Sequence, residues 1–320
     1  MATEKTGPDP QKGKANDPKL NFFRVCSGLM VLLLLIVGAG FLVRHMMVRR
    51  QPLKIPARQA VRVSPKPDVP QTKIFEIYPS SEIIVRRTTG PQRTLTGQKP
   101  RVAIIIDDLG YDRILADNFL DLHHAFSYSV LPFSPFQNRI VQKLHAKKSD
   151  LLLHLPMEPL EYPRVDPGPG ALLTSMSPDQ LMGQLEKNLD AGPYIQGVNN
   201  HMGSKMTTDA VKMGQIFSVL KKRGFFFIDS LTTAKSVGKS SAGLFKIPFA
   251  QRDVFLDHIV EAEFIRKQLA VLIRLAMDHG EALGIAHPHA LSYDILRESL
   301  PDLLEQVDLV PVSALVRIPG

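Results

Sequence analysis

The chain has 320 residues and a net charge of +8, a length that suits one large domain with flanking segments. The first 100 residues carry 17 of the 39 basic and 6 of the 31 acidic side chains, so the rest of the chain is mildly acidic. Because the positive charge lies outside the region with globular texture, we do not expect nucleic acid to be a partner. Cys26 is the one cysteine, which excludes an intrachain disulfide and a cysteine-based zinc site.

An uncharged apolar run covers residues 25–43 and is bounded by Arg24 and Arg44. Nineteen helical residues are about 28 Å long, close to the hydrocarbon thickness of a bilayer. The run therefore predicts a transmembrane anchor. A cleaved signal peptide is the main alternative, since Gly38-Ala39-Gly40 is small enough for a cleavage site, but the apolar run is longer than a typical signal sequence.

The anchor divides the chain into four predicted regions. Residues 1–24 are polar and read as a disordered cytoplasmic tail, and residues 44–97 read as a linker rich in proline and basic residues. Residues 98–320 form the folded domain. The basic residues on the two sides of the anchor are nearly equal in number, so the positive-inside rule does not fix the orientation.

Short apolar runs alternate with helical patterns beyond residue 98, as in an α/β fold with a mostly parallel sheet. An incomplete or distorted (β/α) barrel and an open doubly wound sheet both fit this alternation. The predicted strands are Val102–Ile106, Phe126–Val130, Leu151–Leu155, Ile195–Val198, Phe225–Ile228, Leu283–Ala286 and Leu309–Val312. Predicted helices follow Ser177 and span Thr208 to Arg223 and Glu261 to His279, the last two ended by Gly224 and Gly280.

Polar side chains follow five of these strands, at the edge where ligands and chemistry collect in α/β folds. They are Asp107 and Asp108, His154 with Glu158, Asn199 to His201, Asp229, and His287 with His289. Adjacent carboxylates on an extended strand face opposite ways, so one of Asp107 and Asp108 is expected to bind a cation and the other to accept a proton. Two histidines and one carboxylate with an open position suit Zn²⁺, and also Mn, Fe, Co or Ni. This layout serves metal-assisted hydrolysis of an amide or ester.

Six ordered motifs resemble those of the divergent polysaccharide deacetylases, over about residues 98–316. The motifs are Asp107-Asp108, Leu153-His-Leu-Pro156, Gly197-Val-Asn-Asn-His-Met-Gly-Ser204, Phe227-Ile-Asp-Ser230, Arg252-Asp-Val-Phe-Leu-Asp257 and Gly284-Ile-Ala-His-Pro-His289. The resemblance implies a distorted (β/α) barrel and removal of acetyl groups from polysaccharide or peptidoglycan-like glycans. It implies an envelope location, with the anchor in the inner membrane and the C-terminal domain outside the cytoplasm.

The same resemblance assigns roles to individual residues. It implies that Asp107 is the base, that Asp108 and His154 bind the metal, and that His287 or His289 is the acid. The sequence has no His-x-x-x-His pair, since Glu158 lies four residues after His154. The third metal ligand is therefore either Glu158 or His201, and we expect His201 because it follows a neighbouring strand.

The remaining candidates carry weaker patterns. We expect Arg252 to orient a catalytic carboxylate. Asp253 is a further catalytic candidate, although it and Asp257 lie before a long helix, where acidic residues are common. The expected substrate-facing residues are Glu158, Asn199, Asn200 and Asp229. An Arg-x-Pro-Tyr motif is missing, and Asn199 to His201 stand in its place, so a non-catalytic module that binds glycan or a partner protein is the alternative function.

Overall fold

The computed structural model describes residues 99–320. The predicted tail, anchor and linker lie outside these residues, so the predicted span at 25–43 has no structural counterpart to compare with. Within residues 99–320, no helix combines the length and the apolar character needed to cross a bilayer.

Strands and helices alternate along the described chain, as the sequence predicts. The strands are β1 (Arg101–Leu109), β2 (Ser127–Val130), β3 (Leu151–Met157), β4 (Gly197–Met202), β5 (Phe226–Asp229), β6 (Phe249–Gln251), β7 (Val254–Phe255), β8 (Glu281–Ala286) and β9 (Asp308–Leu309). The helices are α1 (Arg113–Leu120), α2 (Gln137–Lys147), α3 (Pro178–Ala191), α4 (Ala210–Arg223), α5 (Gly238–Phe245), α6 (Ala262–His279) and α7 (Ala290–Gln306).

Local sequence sets the helix ends. At the start of α3, Gln180 N donates to Ser177 Oγ and Ser177 N donates to the side chain of Gln180, which completes a capping box. Gly224 and Gly280 end α4 and α6 in the left-handed conformation expected of them.

The strands form one curled sheet in the order β6-β5-β4-β3-β2-β1-β8-β7, with β9 beside β1, and every pairing between them is parallel. A flat sheet would hold β6 and β7 about 34 Å apart. Yet Arg252 and Asp253 alone connect these edge strands, and that connection spans at most about 11 Å. The sheet must therefore curl into a half-barrel, which decides against the open doubly wound alternative.

Side chains alternate between two buried layers along each strand. On β1, Val102, Ile104 and Ile106 pack with the surrounding helices, whereas Ala103 and Ile105 belong to a separate inner cluster. Val312 and Leu315 from the C-terminal segment pack into this inner cluster. The inward-facing register continues to the carboxyl ends of the strands, where it places the polar residues.

Candidate active site

Four buried polar side chains converge at the inner face of the half-barrel. Asp107, His154 and Asn199 occupy the inward register of β1, β3 and β4, and His287 occupies the same register just beyond β8. Asn199 lies directly beside His154 in the β3–β4 pairing. The parallel arrangement thus brings chemistry from four strands to one edge of the sheet.

A bulge changes the direction of Asp108. The β1–β2 register shifts between Ile106 and Leu109, and Asp108 has a φ of 54° in the left-handed region. Asp108 Oδ1 lies 3.0 Å from Nε2 of His154, and Asp107 Oδ2 lies 3.9 Å from Nδ1 of the same ring. Our expectation that the two carboxylates face apart was wrong, because the bulge turns Asp108 inward beside Asp107, so that both lie near His154.

Asp108, His154 and His201 form a triangle of donor atoms. Asp108 Oδ1 lies 2.9 Å from His201 Nδ1, and that nitrogen lies 3.1 Å from His154 Nε2. Asp108 Oδ1 is buried and accepts no well-aligned hydrogen bond from any residue that the structure describes. A buried oxygen facing two ring nitrogens without hydrogen-bond geometry has the donor set that suits a divalent cation. The structure thus brings together the three residues that the sequence predicts as ligands.

Asn199 selects the tautomer of His154 that can bind a metal. Its Nδ2 donates to both oxygens of Asp107, at 2.8 and 2.9 Å, so its Oδ1 must be the atom that lies 3.0 Å from His154 Nδ1. His154 Nδ1 therefore carries the hydrogen in the neutral ring, and Nε2 presents its lone pair to Asp108 and His201.

The adjacent carboxylates have pKa values displaced in opposite directions. Burial raises the pKa of Asp107, against the lowering effect of His154 and His287. Burial would also raise the pKa of Asp108, but His201 and His154 outweigh it and hold that pKa well below its usual range. Opposed shifts of this kind separate a group that can take up a proton from one that stays ionised.

His287 forms a second buried unit with Asp257. Asp257 Oδ1 accepts from His287 Nδ1 at 2.8 Å, and Oδ2 accepts from His287 N at 2.7 Å and from Ser292 Oγ at 2.6 Å. Burial lowers the pKa of His287, but Asp257 outweighs it and raises the value to about 10. The position of Asp257 before a long helix predicts a helix-start carboxylate, whereas the structure pairs Asp257 with His287 across β7 and β8.

A cavity of about 320 Å³ opens in front of the donor triangle. Asp108 and His201, two of the three donors, form its floor, and Tyr111 and Pro288 are among the residues of its walls. A wall segment also comes from residues 166–169, in the long connection between β3 and α3. The cavity therefore gives a small ligand access to two of the three donors.

Comparison with known proteins agrees with this geometry. Residues 104–316 match the sequence profile described as divergent polysaccharide deacetylase. The chain belongs to this family. It is 32% identical over 219 residues to the uncharacterized protein YibQ of Escherichia coli (strain K12), and this alignment covers 68% of each chain. It is 30% identical over 217 residues to an uncharacterized protein of Haemophilus influenzae, covering 68% of this chain and 77% of the relative.

A solved structure supports the fold. The chain is similar to the uncharacterized protein ATU2773 from Agrobacterium tumefaciens C58, with a TM-score of 0.66 and 26% identity. The similarity covers 70% of this chain and 92% of that protein. The family and the half-barrel expected from the six motifs are both confirmed.

Four residues that we expected to face substrate lie inside this divergent deacetylase domain. Glu158, Asn199, Asn200 and Asp229 are each at most 4% exposed, and none is on the cavity wall described above. Asn200 and Asp229 follow Val198 and Phe227 in the register that packs against helices, which directs them away from the interior of the half-barrel.

Each of these side chains has internal partners. Glu158 accepts from Thr174 N, Thr174 Oγ1 and Lys205 Nζ at 2.5 to 2.7 Å. Asn200 accepts from Ser230 N at 2.9 Å, and Asp229 accepts from Ser236 Oγ at 2.6 Å. These contacts hold the loops around the site.

Arg252 and Asp253 lie at the seam between β6 and β7. Arg252 donates to the carbonyls of Ser230 and Leu231 at 2.7 and 2.9 Å, so it braces the end of β5. Asp253 Oδ2 accepts from Leu283 N at 2.8 Å, which ties β7 to β8. These contacts give both residues a place in closing the half-barrel.

His289 is separated from the buried pair. It is the N-cap residue of α7, and its ring centroid lies 6.3 Å from that of His287. His289 is half-buried, whereas His287 is 2% exposed and hydrogen-bonded to Asp257. The buried carboxylate of Asp257 stabilises a protonated imidazole at His287.

Proposed function

We propose that this chain is a membrane-anchored, metal-dependent hydrolase that removes an acyl group from a polysaccharide or peptidoglycan-like glycan. The observation that supports this proposal is the convergence of three functional groups at neighbouring strand ends, beside one cavity. A three-donor cation site, a carboxylate with a raised pKa and a histidine with a raised pKa all lie within the same cluster of strand ends.

The residues fit a divalent metal. Asp108, His154 and His201 would hold it, and one oxygen with two imidazole nitrogens suits Zn²⁺. When bound, such an ion lowers the pKa of water and polarises the carbonyl of an acyl group. The donor set also suits other first-row divalent metals, so metal analysis of the purified protein identifies the physiological ion.

The chain's own residues carry the proton transfers. Asp107 is held by Asn199 and has a raised pKa, so it is suited to accept the proton of an attacking water. His287 is kept protonated by Asp257 and donates a proton to the leaving sugar nitrogen or oxygen. The raised pKa of Asp107 suits a group that takes up a proton, and the pKa of about 10 keeps His287 protonated at neutral pH, as an acid requires.

Acetate release from acetylated glycans tests this function. We expect the full-length purified protein, loaded with Zn²⁺, to release acetate, and Asp107→Asn to lower kcat by about 10²- to 10⁴-fold, the usual contribution of a general base. Retained metal binding in this variant is the control that separates loss of the base from loss of the site. Wild-type protein that binds zinc and glycan but releases no acetate contradicts the proposal.

A binding-only module is the second candidate function. The observation that favours it is the burial of the proposed base and acid, since Asp107 is 1% exposed and His287 is 2% exposed. A buried base needs water or substrate to penetrate past the cavity floor. Glycan binding without turnover, unchanged in Asp107→Asn, supports this candidate.

We also propose an inner-membrane location, with the anchor at residues 25–43 and the folded domain outside the cytoplasm. The apolar run supports the anchor, and an envelope glycan as substrate supports the orientation. A reporter that fluoresces only in the cytoplasm, fused after Gly320, should be dark. A bright signal would contradict this orientation.

A further inference from the structure

We infer that Asn199 is a positioning residue that couples the proposed base to the proposed metal site through one side chain. This inference rests on the proposed function and goes beyond it, since Asn199 touches neither the cavity nor a position open to substrate. Its role is to fix Asp107 and His154 relative to each other.

Every hydrogen-bonding position of the Asn199 amide is used. Nδ2 donates to the two oxygens of Asp107 at 2.8 and 2.9 Å and lies 3.4 Å from Ser230 Oγ. Oδ1 faces His154 Nδ1 at 3.0 Å and accepts a hydrogen bond from Ser129 Oγ. Asn199 is fully buried, so water cannot replace any of these contacts.

The two ends of the amide cannot be exchanged. A flipped amide would direct Oδ1 at the carboxylate of Asp107, which is a repulsive contact in a buried site, and would leave the hydroxyl of Ser129 without its acceptor. The observed orientation therefore fixes the carboxylate of Asp107 and the ring of His154 at the same time. An arginine or lysine could hold the carboxylate but has no acceptor for the His154 N–H.

Neighbouring Asn200 shows what a purely structural asparagine does here. It donates to Met202 O at 2.7 Å and accepts from Ser230 N at 2.9 Å, so its partners are backbone groups at the end of β4 and just after β5. Asn199 instead contacts the side chains of the proposed base and a proposed ligand. This difference in partners is what assigns a positioning role to Asn199.

The amide of Asn199 has two arms, Nδ2 toward Asp107 and Oδ1 toward His154, and two substitutions separate their effects. Asn199→Asp keeps an oxygen for His154 Nδ1 and replaces the donor to Asp107 with a second oxygen. Asn199→Ala removes both arms. We expect Asn199→Asp to keep the Zn²⁺ affinity within about threefold while kcat falls by about 10²-fold or more at little-changed KM, because only the base loses its support. We expect Asn199→Ala to weaken Zn²⁺ binding by about 10- to 100-fold as well, the usual effect of losing an outer-shell partner.

The measurements are Zn²⁺ titration of metal-free full-length protein and acetate-release kinetics, each after a thermal melt shows a folded domain. Asn188→Asp is the matched control. Asn188 is also fully buried and donates to Gly170 O at 2.8 Å, away from the donor triangle. It introduces the same buried charge and should leave both the Zn²⁺ affinity and kcat near wild type.

Equal loss of Zn²⁺ binding in Asn199→Asp and Asn199→Ala overturns the inference, as does a wild-type kcat in Asn199→Asp. If wild-type protein releases no acetate, the proposed function fails, and the zinc titrations then decide the inference alone. In that case the inference is supported if Asn199→Asp keeps the wild-type Zn²⁺ affinity and Asn199→Ala loses it, since only the first variant retains the oxygen for His154. Equal Zn²⁺ affinities in the two variants overturn it.

Discussion

The two sides of the site are built on different principles. On the β1, β3 and β4 side, Asp108, His154 and His201 direct donor atoms at one another across 2.9 to 3.1 Å without completing a hydrogen-bond network. On the β7 and β8 side, Asp257 accepts three hydrogen bonds, two from His287 and one from Ser292. The first side has the donor set of a cation site, whereas the polar atoms of the second side are hydrogen-bonded to one another.

This difference separates what each side depends on. Without a cation, Asp107 and Asp108 outweigh the effect of burial and raise the pKa of His154 to about 9, so a proton competes with metal for the first side. The second side contains its own counter-ion, Asp257, which is the main cause of the raised pKa of His287. We therefore expect metal removal to act chiefly on the first side, whereas pH acts on both, and substitutions on one side can be scored against the other.

The largest expected effect comes from removing the carboxylate of the donor triangle. Asp108→Ala should abolish stoichiometric Zn²⁺ binding and lower kcat by about 10³-fold or more, since metal catalysis contributes several kcal/mol and each 1.4 kcal/mol is about tenfold. Metal analysis after dialysis and acetate-release kinetics measure the two effects. His287→Gln is the control from the other side, and it should lose activity while binding Zn²⁺ like wild type. Loss of Zn²⁺ in both variants would contradict the separation.

A smaller effect is expected from breaking the hydrogen-bonded pair of Asp257 and His287. Asp257→Asn removes the charge that keeps the pKa of His287 at about 10, so that pKa falls and the protonated acid is lost at lower pH. The alkaline limb of the kcat profile should move down by at least about one pH unit, with Zn²⁺ affinity unchanged. A limb that stays in place would exclude His287 as the acid.

The same pair makes stability depend on pH in a known direction. The folded pKa of His287 lies above its usual value of 6.5, so the folded state binds the extra proton. The stabilisation is full below about pH 6.5 and is lost as pH rises toward about 10. The difference in free energy of unfolding between wild type and His287→Gln, from urea titrations at pH 6 and pH 9.5, should therefore shrink at the higher pH. A constant difference would contradict the pairing.

Sequence periodicity was enough to predict much of the fold and part of the site. Buried runs separated by helical patterns predicted the parallel sheet, and the positions of Asp108, His154 and His201 after their strands predicted that they would meet. The same period-two rule could have excluded Asn200 and Asp229 from the interior, because each is one residue out of the inward register.

Other features had no local signal. The bulge that turns Asp108 inward arises from a register shift against β2, which only the folded sheet specifies. Asp257 reads locally as a residue before a helix, and its pairing with His287 depends on β7 lying beside β8. The double role of Asn199 likewise requires β3 to pair with β4 and the folded sheet to bring β1 close to both across β2. Sequence could therefore place this amide near the site but could not assign its partners.

The smallest expected effect decides between the two third-ligand hypotheses. Glu158 has the partners Thr174 and Lys205, and its pKa is lowered because these contacts outweigh the raising effect of burial. Glu158→Gln should leave Zn²⁺ affinity within about twofold of wild type and cost about 1 kcal/mol of stability, since Lys205 is 45% exposed and water screens the lost ion pair. His201→Ala, in the same zinc titration, should lose about 100-fold or more, because it removes a donor in direct contact with the ion. The reverse ranking of these two variants would make Glu158 the ligand and would break the contrast between the two sides of the site.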